Sequence, residues 1–144
     1  PEIWKYRNGP IAEDGTRTET YDLVKSLLDE VQRLAWVFKG NKVTGVYHMG
    51  TPLPLDTHAL GALPAEITEL SVGRDTNTAC VSFFENHDYH FMMVVNTSIN
   101  EKCYLNIGTQ PHVRRIRKDG SVQLASNDQR TLTLDPGDMV LYMW

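Results

Sequence analysis

The sequence predicts a mainly β protein, an antiparallel β-sandwich of about eight strands preceded by one long amphipathic α-helix. Three observations carry this. Apolar residues between Tyr21 and Phe38 recur at helical spacing, the period shifts to that of strands after Gly40, and turn residues separate the short β-rich segments that follow.

The first fifteen residues hold Asn8-Gly9-Pro10 and Asp14-Gly15, turn signals that predict a loop. Thr16 with Glu19 three positions on matches a capping box, and Gly40 fits a helix C-terminal cap. Between them Tyr21, Val24, Leu28, Val31, Ala35 and Phe38 form a stripe that Leu27 and Leu34 widen. A lone helix with such a stripe must cover, or be covered by, an extended apolar surface. That surface is either an outer face of the following sheet or part of an upstream α/β domain, and the organisation expected is residues 1–40 as the tail of that domain and 41–144 as the sandwich.

Nine segments then read as strands: 42–48, 67–73, 78–85, 89–96, 102–108, 112–118, 121–125, 129–135 and 138–144. Residues 51–64 are a long loop punctuated by Pro and Gly. Asp119-Gly120 predicts a two-residue hairpin, and Pro136-Gly137 a turn into the last strand. Residues 89–96 are apolar on both faces, which predicts a central strand covered on each side. Cys103 alternates in phase with Leu105 and Ile107, so it is expected on an apolar face; Cys80 and Cys103 read as buried free thiols, with a bridge between them as the alternative.

Composition narrows the function. A net charge of −4 and a pI near 5.7 do not provide the cationic surface that nucleic acid requires. No apolar run is long enough to span a membrane, so a soluble chain is expected. Pro1 stands where an initiator Met would, which leaves room for a processed signal or an upstream domain; the compartment stays open, periplasm and secretion included.

Candidate chemistry is sparse. His87, Asp88 and His90 fall at a hairpin tip, where alternate side chains point to opposite faces, so a polar turn explains them better than a metal site. No metal and no cofactor is expected. The carboxylate pairs Glu13/Asp14 and Glu66/Glu69 read as surface residues, and no catalytic residue is assigned. Residues 112–118 carry Arg114, Arg115, Arg117 and Lys118, read as a solvated strand whose charge discourages edge pairing. Trp4 and Tyr6 sit in an irregular loop with no core period to explain them, and are the candidate substrate-binding residues, as flat platforms for a sugar. Phe83, Phe91 and Tyr104 read as core; Tyr142 and Trp144 stay open.

The stretch from Gly9 to Gly50, with E-T-Y-D-L-V-K, D-E-V-Q-R-L and V-Y-H-M-G, resembles the junction between the last barrel helix and the following strand in β-galactosidase-like (β/α)8 glycoside hydrolases. V-V-N at 94–96 and L-D-P-G-D at 134–138 are similar to motifs of their C-terminal β-sandwich. The resemblance implies a non-catalytic accessory domain that stabilises the barrel, its helix stripe packed on that barrel, with the catalytic carboxylates on barrel strands before Pro1. The partner it implies is the barrel of the same parent chain; carbohydrate and a second copy of the chain are further candidate partners. A carbohydrate-binding module and a small sandwich or cupin-type enzyme are the alternatives.

Overall fold

The computed structural model describes residues 8–144. The chain forms two compact units, Pro1–Lys39 and Gly40–Trp144.

In the first unit, helix α1 spans Glu19–Phe38. The capping box does not form. Thr16 instead donates its hydroxyl to Asp14 Oδ1 (2.6 Å), a local turn that competes with capping, and Thr18 becomes the N-cap residue. The Thr18 hydroxyl donates to the Gly9 carbonyl at 2.6 Å, and its oxygen accepts no capping bond from the helix. At the other end the expectation holds: Lys39 N–H bonds to the Ala35 carbonyl, and Gly40 follows with φ +77°, the left-handed conformation that glycine adopts without strain. Leu34 and Val37 are buried. Leu23, Val24, Leu27, Leu28 and Val31 are exposed, Leu23 by 72%.

The second unit is a sandwich of nine strands: β1 Lys42–Met49, β2 Ile67–Val72, β3 Ala79–Glu85, β4 His90–Asn96, β5 Cys103–Thr109, β6 Arg114–Ile116, β7 Val122–Leu124, β8 Thr131–Leu134 and β9 Met139–Met143. They form a six-stranded sheet in the order β1-β3-β4-β9-β6-β7 and a three-stranded sheet β2-β5-β8, with every strand pair antiparallel. Period-two alternation explains the core. Val81 on β3, Met92 and Val94 on β4, and Val140 and Tyr142 on β9 project from one sheet toward Leu70, Leu105 and Ile107 of the other. Cys103 lies in this core as a free thiol, its pKa raised by burial, and Cys80 is also free but half-buried rather than buried as expected. β4 is interior as expected, and its alternate face carries buried Phe91 with half-buried Met93 and Val95.

Two expectations about the second half of the chain are corrected. Residues 117–121 turn through a bond from Gly120 N–H to the Arg117 carbonyl, with Gly120 at φ +84°, so the hairpin carries a glycine bulge rather than a two-residue loop. β6 is also no edge strand, being paired to β9 on one side and β7 on the other. Asp128 lies between Arg115 of β6 and Arg117 just past the strand and offsets their charge: Arg117 Nη2 donates to Asp128 Oδ1 at 2.8 Å, and Arg115 Nη1 lies 3.1 Å from Oδ2 as an ion pair without hydrogen-bond alignment.

Asn96, at the end of β4, is 1% exposed and staples three segments. Its Nδ2 donates to the carbonyls of Glu101 (2.8 Å), Asp135 (3.0 Å) and Leu134 (3.3 Å), while Oδ1 accepts from Ser98 N–H at 3.0 Å. The V-V-N and L-D-P-G-D motifs are thus one bonded unit, and their residue types follow from backbone satisfaction.

Candidate functional site

Trp4 and Tyr6, the sugar platforms expected from the sequence, lie outside the described residues. Among the described residues no group of three or more His, Cys, Asp or Glu is arranged to hold a metal ion. His87, Asp88 and Tyr89 form the β3–β4 turn, organised by Asn86 Oδ1, which accepts from the backbone N–H of Asp88 and Tyr89 at 2.9 Å each. The carboxylates divide. Asp14 is held below its usual pKa by the hydrogen bonds from Thr16, and Glu69 accepts from Arg130 Nε at 2.6 Å. Glu66 is among the residues lining a cleft.

That cleft, about 350 Å³, opens at the end of the sandwich beside the β3–β4 turn. Its lining comes from β1 (Thr44, Gly45, Tyr47), the approach to β2 (Ala62, Leu63, Pro64, Glu66), the β3–β4 hairpin (Phe83, Phe84, His90, Phe91) and the C-terminal Trp144. Local geometry sets the aromatic walls. Gly45 pairs opposite Phe83, and the Tyr47 ring lies across Gly45 so closely that a Cβ there would come within 2.6 Å of Tyr47 Cε2. Tyr47 meets Phe83 edge to face, centroids 6.1 Å apart at 64°. Trp144 is fixed by paired backbone bonds with His90 (2.9 and 3.0 Å), and the two rings stack at 6.2 Å and 18°. His90 Nδ1 lies 3.1 Å from Glu85 Oε2, which leaves Nε2 as its other polar atom. Glu66 is anchored through its backbone, its carbonyl accepting from Gln110 N–H at 2.8 Å.

Tyr47, Phe83 and Trp144 are half-buried, unlike Phe84, Phe91 and Tyr142, which are buried. Phe83 packs against the core as expected and also lines the cleft, Phe91 is buried as expected, and Tyr104 is half-buried with the Arg74 guanidinium 4.1 Å from its ring centroid. Of the two open cases, Tyr142 is core and Trp144 lines the cleft. Sequence reasoning missed the site because alternation assigns Phe83 and Tyr47 to the inward face, but not to the end where the opposing sheet stops covering that face. The one available signal was Gly45 two residues before Tyr47 inside a strand, since an in-strand glycine marks close approach of another group.

No helix among the described residues is long and apolar enough to cross a membrane. Comparison with protein-family models, curated proteins and solved structures finds no match.

Proposed function

We propose that the chain is a non-catalytic accessory β-sandwich of a glycoside hydrolase, its helix forming the seat for a (β/α)8 barrel. The carrying observation is the exposed face of α1: five large aliphatic side chains, Leu23, Val24, Leu27, Leu28 and Val31, lie along one helix and face solvent. A contiguous apolar surface of that kind marks a protein contact. The resemblance of the helix and its following strand to a barrel-to-sandwich junction supplies the occupant, the barrel of the same parent chain. The Asn96 staple supports the same reading, because it gives the resembling motifs a purely architectural role.

This reading predicts that the 144-residue protein turns over no chromogenic galactoside or glucoside. Turnover that Glu66→Gln abolishes would overturn it, since Glu66 is the acidic residue among those lining the cleft.

The aromatic cleft favours a second reading, a carbohydrate-binding module. Half-buried rings beside a few convergent polar groups are the makeup of a small-molecule site.

A further inference from the structure

We propose that the cleft binds one ring of a neutral sugar, with Tyr47, Phe83 and Trp144 as its apolar walls and Glu66 as its hydroxyl acceptor. The inference deepens the carbohydrate-binding reading and is independent of whether the chain serves a hydrolase.

Size, charge and wall chemistry converge on that ligand. At about 350 Å³ the cleft lies at the small end of ligand pockets, which fits a single ring rather than a chain. Its ionisable lining comprises Glu66, His90 and the Tyr47 phenol, with no Lys or Arg among the described lining residues. A sugar acid or phosphate would meet the Glu66 charge with no cation to offset it. A purely apolar ligand would bury the Glu66 carboxylate and the Thr44 hydroxyl without partners, which costs free energy. A polyol satisfies both halves of the cleft: its C–H faces lie on aromatic rings, and its hydroxyls donate to Glu66 and reach His90 Nε2 and Thr44.

The walls are also pre-set. Gly45 admits the Tyr47 ring where any side chain would displace it, and Trp144 is held by the two backbone bonds to His90. A site formed before the ligand arrives loses less affinity to ordering. A quaternary ammonium ion is the rival ligand, since aromatic walls with a carboxylate also suit a cation. It would leave the Thr44 and His90 polar atoms without a role.

The test is a ¹H–¹⁵N NMR titration of the whole labelled protein with methyl β-galactopyranoside, methyl β-glucopyranoside and choline. At least one glycoside should produce saturable shifts at the Trp144 indole and the Gly45 and Tyr47 amides, with a millimolar Kd, while choline produces none. Glu66→Gln should weaken glycoside binding by about tenfold, because it replaces charge-assisted acceptance with neutral acceptance. Tyr47→Ala should remove saturation; if that variant loses amide dispersion, Glu66→Gln carries the test. The proposal is overturned if neither glycoside saturates by about 100 mM, if the shifts map away from the cleft, if Glu66→Gln binds as tightly as the parent, or if choline binds in preference.

Discussion

Replacing Asn96 with Ala tests the account of how the sandwich is closed. The side chain is 1% exposed and makes four hydrogen bonds joining the ends of β4 and β8 to the 97–101 loop. Three of these groups, the Glu101 and Asp135 carbonyls and Ser98 N–H, lie near solvent and can be rehydrated, so each contributes a net of roughly 0.5–1 kcal/mol. The Leu134 carbonyl belongs to a residue 3% exposed, and stranding it costs roughly 1 kcal/mol or more. The sum is about 3 kcal/mol, which for a unit of this size lowers Tm by roughly 15 °C. Urea denaturation followed by circular dichroism measures it. Asn96→Asp should lose at least as much, because it keeps the acceptor for Ser98 but forfeits the donor and brings charge into a buried position. A loss below about 1 kcal/mol in Asn96→Ala would refute the reasoning, since the carbonyls would then be satisfied without the side chain.

Three further outcomes are expected. Gly50→Ala should destabilise the protein by roughly 3 kcal/mol or prevent folding, because φ is +97° and a Cβ would collide with the Asn77 carbonyl oxygen; thermal melts check it. Burial pushes the Tyr142 phenol up to about 12, so the folded state holds its proton more tightly than the unfolded chain. Stability from this group is complete below the ordinary tyrosine value near 10 and is lost as pH rises from there toward 12, by about 2–3 kcal/mol; urea titrations across that window should show the loss in the parent and not in Tyr142→Phe. Leu27→Glu and Val31→Glu should change the stability of the 144-residue protein by less than about 0.5 kcal/mol, because both sites face solvent; a loss above about 1.5 kcal/mol would show that the face is covered.

The helix and all nine strands were legible because the signals that define them are local. Alternation from Ala79 to Glu85 and from Cys103 to Thr109 places alternate residues in the core without knowledge of their partners. Illegible features depend on residues distant in sequence or on competing local bonds. The Thr16 cap does not form because Asp14, two residues away, accepts from both the Thr16 N–H and its hydroxyl in a local turn, and the helix starts only at Glu19. The interior place of the cationic strand is not legible locally, because its neutralising carboxylate, Asp128, lies beyond the next hairpin. The cleft is a tertiary property in the strict sense: it joins β1, the loop before β2, the β3–β4 hairpin and the chain's last residue. Nothing in the pattern around Trp144 says that it pairs with His90.

The central claim is that the exposed face of α1 is the seat of a catalytic barrel. A photo-crosslinking amino acid placed at Leu27 in the full gene product, as expressed from its native coding sequence, with crosslinked peptides identified by mass spectrometry, tests it most directly. The account predicts intramolecular crosslinks to peptides of the same polypeptide outside residues 1–144. Crosslinks confined to residues 40–144, or none at all, would contradict it.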